Sequence, residues 1–145
     1  MAYYNFDKDL KDGQEAENQA IELIIKKYNL VKEDILICNT KEYDFKVNSR
    51  NETYEVKNDL MAEKTGNIAI EYESRGKNSG ITTTQANFWI YKFAGLFLLL
   101  KTEKIKEELF KNNNYSRKVT GGDDGSNTKM FLVKVVEFKK WGVQI

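Results

Sequence analysis

The chain has 145 residues, of which 41% are hydrophobic and 12% aromatic, enough for one sizeable core, and no proline-, glycine- or serine-rich run divides it. A single domain over residues 1–145 is therefore expected. Histidine is absent, which excludes serine-protease triads, papain-like dyads and histidine-ligated zinc and leaves any chemistry to carboxylates, lysines and hydroxyls. The formal net charge is only +1, so affinity for nucleic acid would have to come from a local basic patch.

From the N-terminus, the spacing predicts an amphipathic helix from Gln14 to Tyr28 that buries Ala20, Ile21, Ile24 and Tyr28. Glu17 lies on the same stripe, whereas Glu15 and Glu22 fall to its side. A buried carboxylate without a partner is costly, so an inward Glu17 points to a metal or a bound water. The alternative is a first-turn glutamate near the surface, favoured by the helix dipole. Cys38, the only cysteine, ends the apolar run from Ile35 and reads as a small buried hydrophobe, unable to form an internal disulfide or a zinc cluster alone.

Thr40 to Val47 and Thr53 to Lys57 alternate in the manner of strands, and Asn48-Ser49-Arg50-Asn51 supplies a polar turn between them. A hairpin of that length folds Glu55 back beside Asp44, as the only two acids expected to point inward at that level. Their repulsion calls for a cation or for Lys57, which projects from the same face of its strand as Glu55. Paired carboxylates hold a hard divalent cation through oxygen, and an all-oxygen set suits Mg²⁺ or Mn²⁺ better than zinc or copper. A nearby ammonium can orient a nucleophile or stabilise a developing anion, so the group is equipped for metal-assisted phosphodiester hydrolysis. Acid-x-lysine also occurs at Asp9-Leu10-Lys11, Asp44-Phe45-Lys46 and Glu137-Phe138-Lys139. Asp9 lies in a polar stretch, while Glu137 is a real competitor at the end of a strand from Lys129.

A further strand is expected from Asn67 to Glu73, with Glu71 beside Lys57. The loop Ser74 to Gly80 mixes Arg75 and Lys77 with hydroxyls, an amide and glycines, the chemistry either of a contact to backbone phosphates or of a flexible solvated turn. A second such loop runs from Asn112 to Lys118. Gly80 to Gln85 reads as an N-cap leading into a helix from Gln85 to Lys92, with threonine hydroxyls and free N–H groups available to a phosphate or simply capping. Phe93 to Lys101 is expected as a buried strand, Glu103 to Asn112 as a helix and Lys129 to Lys139 as a closing strand, with Tyr115 to Asn127 mobile. The class is α/β. The longest apolar run, Phe93 to Leu100, is too short to cross a membrane, and there is no apolar N-terminal signal. A cytoplasmic protein without a small-molecule cofactor is expected.

Asp44, Glu55 and Lys57, preceded by a helix, resemble the core of the PD-(D/E)xK nuclease superfamily over roughly Asp12 to Lys101, with Tyr43 where the family name has proline. The resemblance implies a restriction-endonuclease-like αβββαβ core. This is a helix, a three-stranded antiparallel meander, a helix packed on the sheet and a further strand, giving a mixed central sheet flanked by helices. It also implies a metal-dependent DNA endonuclease in which Asp44, Glu55 and the Val56 carbonyl hold Mg²⁺ or Mn²⁺, Lys57 positions the attacking water and Glu17 assists. Resolvase-like members carry such a glutamate on the first helix, four residues after a glycine, as Glu17 follows Gly13. The stretch Gly66 to Trp89 is similar to small phage-encoded nucleases of the superfamily, which implies Glu71, Arg75 and Thr83 near the site, Gln85 on the following helix, and residence in the host-cell cytoplasm. The implied substrate is DNA, as a branched junction, a nicked duplex or a defined site, in phage DNA processing, recombination or repair. Alternatives are an RNA or single-strand nuclease, a catalytically silent nucleic-acid-binding or assembly module, and a small adaptor with no nucleic-acid role. Because one active site cuts one strand at a time, a homodimer is expected, through Tyr3, Tyr4 and Phe6 or through Phe88 and Trp89.

Overall fold

The computed structural model describes residues 6–38, 40, 42–121 and 127–145. The chain opens with α1 (Phe6–Tyr28), followed by β1 (Ile35–Ile37), β2 (Phe45–Val47) and β3 (Glu52–Asn58). These three strands form an antiparallel meander, with Phe45 opposite Tyr54 and Ile35 opposite Val47. The turn between β2 and β3 is the expected polar one. A 3-10 turn covers Asn48–Arg50, and Asn51 takes the left-handed conformation that asparagine tolerates. Helix α1 begins earlier than its apolar stripe suggests, so Gly13 lies inside it rather than at its start. Ala16, Ala20, Ile21 and Ile24 face the sheet, and Ala20, Ile21 and Ile24 pack with Phe45, Val47, Tyr54 and Ile90. Arg50 holds the far end of the helix, with its guanidinium 3.7 Å from the centre of the Tyr28 ring and 2.9 Å from Glu52.

After β3 the chain leaves this sheet. The short helix α2 (Ala62–Thr65), β4 (Asn67–Ser74) and β5 (Lys77–Asn78) come next, and then β6 (Phe88–Phe93) returns to pair in parallel with β3, Glu55 opposite Trp89. The helix expected from Gln85 to Lys92 is thus a strand. Phe88-Trp89-Ile90-Tyr91-Lys92-Phe93 is rich in aromatic residues, which suit a strand buried on both faces. A two-residue turn at Ala94 and Gly95, both at positive φ, joins it to β7 (Leu96–Lys101). With β10 (Val143–Gln144) the first sheet has the order β1-β2-β3-β6-β7-β10. It is a mixed sheet, because the β3–β6 pair is parallel and the others antiparallel.

A second sheet of order β5-β4-β9-β8 is built from β8 (Arg117–Gly121) and β9 (Thr128–Lys134) on β4 and β5. It packs on the face of the first sheet opposite α1, around Ile68, Ile70, Trp89, Tyr91, Phe131 and Phe138. Asp59 fastens the two sheets together. One of its carboxylate oxygens accepts from the N–H groups of Met61 and Ala62, and the other from that of Ala69 in β4. The C-terminal part adds α3 (Thr102–Lys106), which continues as a π-helical turn over Glu107–Lys111, and α4 (Val135–Phe138). The closing strand therefore ends at Lys134, and Glu137 stands on a helix. The class is mixed α/β with a mixed central sheet. The strand at 67–74 does not join the meander, however, and a second sheet stands where a crossover helix was expected. Of the mobile segment expected from Tyr115 to Asn127, Arg117–Gly121 is strand and residues 122–126 lie outside the described ones. Among the described residues no helix is long and apolar enough to cross a membrane.

Candidate active site

The β2–β3 hairpin brings the predicted residues together. Asp44 sits one residue before β2, where its N–H donates to the Tyr54 carbonyl and its carbonyl accepts from the Cys38 N–H. Its side chain turns across the hairpin, and Oδ2 accepts the N–H of Val56 at 2.7 Å. This places Asp44 against the Glu55-Val56-Lys57 segment just where β2 stops covering β3. The Val56 carbonyl projects to the same open edge as its N–H. Lys57 lies on the same strand face as Glu55, its Nζ 3.2 Å from Oε1 of Glu55 and 5.3 Å from the centre of the Trp89 ring. Trp89 is in turn held from behind, as its indole N–H donates to Thr84 Oγ1 at 3.2 Å.

Three acids here are crowded and half-buried. Burial raises the pKa of Asp44, and the Val56 N–H and Lys57 oppose that shift. Glu55 is likewise raised by burial, opposed by Lys57 and reinforced by Asp44. Glu17 is raised by burial and then by the charges of Asp44 and Glu55, which lie within electrostatic reach of it. Crowded, desolvated carboxylates with few donors are the environment in which a divalent cation is favourable. Asp44, Glu55 and the Val56 carbonyl form an oxygen-only donor set of the size that magnesium uses when it keeps most of its waters, and in that respect they fit the ion. Among the described residues no three acidic or thiol side chains converge into a ready-made metal cage.

Beside Glu55 and Lys57 lies a cavity of about 170 Å³, with Trp89 in its wall. Glu42 and Glu71 complete the acidic part of the lining, so Asp44 and Glu55 are not the only inward acids. Glu71 arrives from the second sheet, and Gly80 and Thr83 come with it. A Cβ at Gly80 would stand 2.2 Å from the Glu71 carbonyl oxygen, and the residue has φ of +56°, so only glycine lets this segment lie against β4. Asp44 and Glu17 do not line the cavity.

The other expected contacts divide. Thr83 lines the cavity, but no helix follows it. The neighbouring threonines are braces. Thr82 donates to the Tyr72 and Ser79 carbonyls, while Thr84 accepts from the Ala86 N–H and the Trp89 indole. Gln85 lies in an adjoining groove. Arg75 forms the tip of the β4–β5 hairpin with Gly76, both at positive φ, and neither Arg75 nor Lys77 lines the cavity. Trp89 is buried and Phe88 half-buried, which removes Trp89 as a dimer contact; Tyr3, Tyr4 and the Phe6 side chain lie outside the described residues. Cys38 is half-exposed at the sheet edge, not buried, and its thiol shares a hydrogen bond with Thr40 Oγ1 at 3.0 Å.

Trp89 and Glu42 escape a reading of the sequence alone. For Trp89 a usable signal exists, since an aromatic six-residue run followed by Ala94-Gly95 and a second apolar run is a strand, turn and strand. Glu42 has none, because its position depends on how the approach to β2 bends. The competing Glu137 is a structural acid. It accepts from Asn114 Nδ2 at 2.9 Å and from the Trp141 indole, and pairs with Lys140 at 3.3 Å. Comparison with family models, with curated proteins and with solved structures gives no match.

Proposed function

We propose that the protein is a metal-dependent nuclease of PD-(D/E)xK type that hydrolyses phosphodiester bonds in DNA. The observation that carries this reading is the 2.7 Å bond from the Val56 N–H to Asp44, which brings one acid against a second acid and its lysine. Asp44, Glu55 and the Val56 carbonyl would hold Mg²⁺ or Mn²⁺. When bound, the ion offsets phosphate charge and lowers the pKa of water. The Lys57 ammonium, steadied by Glu55 and by the face of Trp89, donates to the attacking water or to the phosphoryl oxygen that gains charge. Glu17, whose pKa is pushed upward by burial and by the charges of Asp44 and Glu55, would assist the site from α1. Cutting both strands of a duplex would call for two copies.

A catalytically silent nucleic-acid-binding module is the second reading. It is favoured by the Glu55 to Lys57 ion pair, which already satisfies one acid, and by the lack of a three-acid cage among the described residues. Incubation with supercoiled, linear, single-stranded and four-way-junction DNA, with and without Mg²⁺ or Mn²⁺, separates the two. Metal-dependent cleavage is expected. Failure on every substrate, together with no Mg²⁺ binding by calorimetry, would leave the silent module.

A further inference from the structure

Three concavities lie end to end around one rim of the first sheet. The carboxylate cavity shares Thr84 with a groove of about 380 Å³, and that groove shares Phe88 and Lys101 with a third concavity of about 360 Å³. We propose that this track binds a single-stranded segment of nucleic acid leading to the carboxylates, an inference that rests on the nuclease reading above.

Charge changes sign along the track. At the cavity one lysine, Lys57, faces Glu42, Glu55 and Glu71. In the second station Lys101 and Lys106 oppose only Glu103, and the third has Lys27, Lys101 and Lys104 with no acid in its lining, though Lys104 is paired with Glu107 and Glu108. In a chain of net charge +1 this is placement, not bulk composition. The negative end would need a cation, and the positive stretch needs an anion that extends over both stations, as a phosphodiester backbone does.

The path also bends. Trp89 and Phe88 are neighbours in β6 and so point to opposite faces of the sheet, Trp89 into the core shared with the second sheet and Phe88 toward α1. A strand running from Trp89 past Thr84 to Phe88 and Tyr28 passes from one face to the other around the sheet rim. Duplex DNA, with a persistence length of about 150 base pairs, resists so tight a turn, whereas a single strand follows it. The half-buried Phe88 and Tyr28 rings, the first stacked on Tyr54 at 5.2 Å and the second under the Arg50 guanidinium at 3.7 Å, are held in the track wall, where a base meets their remaining surface. Asn87 lies between them and the cavity. Its side-chain Oδ1 accepts from the Thr53 N–H and hydroxyl, both at 2.9 Å, which fixes this exposed amide in the wall of the second station.

The test is anisotropy of a labelled fifteen-residue oligo(dT) and of a blunt duplex of the same length, in EDTA and across a salt series, so that no metal or cleavage enters. Wild-type protein is expected to bind the single strand more tightly. Lys101→Ala with Lys106→Ala should weaken that binding about tenfold and flatten log K against log salt by about 1.4, roughly 0.7 for each lost contact. The control, Lys26→Ala with Lys32→Ala, removes the same charge from exposed positions off the track and should change little. Equal losses in the two double variants, or no preference for the single strand, overturn the track. A thermal melt of each variant confirms folding, and Gln85→Ala supplies a charge-neutral second variant, expected to weaken binding with the salt slope intact. If the nuclease reading fails, cleavage is absent while this binding persists. If the track fails, cleavage proceeds while binding ignores the lysines.

Discussion

Two groups of acids in this molecule are built alike in sequence and oppositely in space. Glu108 and Glu137 are saturated with donors. Glu108 accepts from Asn112 at 2.9 Å and from Asn114 at 2.5 Å and pairs with Lys104, and the Asn114 amide bridges on to Glu137. Hydrogen bonds, from Asn114 first, lower the pKa of both glutamates. They join the π-helical turn after α3 to α4. Around Glu55 the balance reverses. Asp44 has one N–H donor, Glu55 has one lysine, Glu17 is desolvated and then repelled by Asp44 and Glu55, and all three pKa values rise. The acids that hold the fold are given partners, whereas the under-partnered ones are those at which the proposed metal would offset the charge.

The largest expected contrast is in cleavage. Lys57→Ala should lower the rate by about 10²–10³-fold, the scale of losing one preorganised donor, with a normal melting curve. Glu137→Gln should leave the rate unchanged. Quantifying cleavage of one plasmid substrate by both variants is decisive, and loss in Glu137→Gln with activity in Lys57→Ala would exchange the roles of the two groups.

Stability should show opposite signs. Glu108→Ala strips the Asn112 and Asn114 amides of their acceptor in a buried position and should cost about 1–3 kcal/mol in chemical denaturation. Asp44→Asn keeps an oxygen for the Val56 N–H while removing a desolvated charge, so it should raise Tm at pH 7 even as it abolishes cleavage. A 1 kcal/mol gain corresponds to about 2–4 °C in a chain near this size. A fall in Tm for Asp44→Asn would mean that its charge stabilises the fold.

The pH dependence sharpens this. Because the folded-state pKa values of Glu17, Asp44 and Glu55 lie above their unfolded values, the native chain binds protons first, and stability rises as pH falls from neutral through those raised values. Glu108 and Glu137 are depressed, so their contribution is full above the ordinary carboxylate pKa and is lost as pH falls through their folded values. Tm should therefore pass through a maximum on the acid side of neutrality. In Asp44→Asn the rise on acidification should be smaller, and in Glu108→Gln the acid-side fall should be smaller.

The smallest effect lies outside both groups. Ala94, at φ +49°, occupies a turn position that asparagine tolerates better, and Ala94→Asn should add a few tenths of a kcal/mol, up to about 0.5, at every pH. A pH-dependent gain there would show that the melts report something other than the acids.

The hairpin carrying Asp44, Glu55 and Lys57 and the apolar stripe of α1 were legible in the sequence, because both depend on local rules. A polar turn of fixed length sets the register of its two flanking strands, and the helical period sets which residues share a face. The acid-x-lysine pattern alone did not distinguish Glu55 from Glu137. What separates them is that β9 ends at Lys134, so that Glu137 falls on a helix turned toward Asn114 and Trp141.

Sheet membership was decided only by the tertiary structure. Asn67–Ser74 has the alternation of any strand, but it pairs with Thr128–Lys134, some sixty residues away, instead of the adjacent hairpin, and Phe88–Phe93 slots in parallel beside β3 in its place. Period-2 patterning says that a strand is half-buried and not which strand it joins; that choice comes from packing on both faces of the finished sheets and from staples such as Asp59. It also brings Glu71, Gly80, Thr83 and Trp89 to the carboxylates, while leaving Arg75 and Lys77 at a hairpin tip off the cavity. Sequence alone determined the juxtaposition of Asp44, Glu55 and Lys57 through contacts a dozen residues apart, and the long-range pairing of two sheets determined the walls around them.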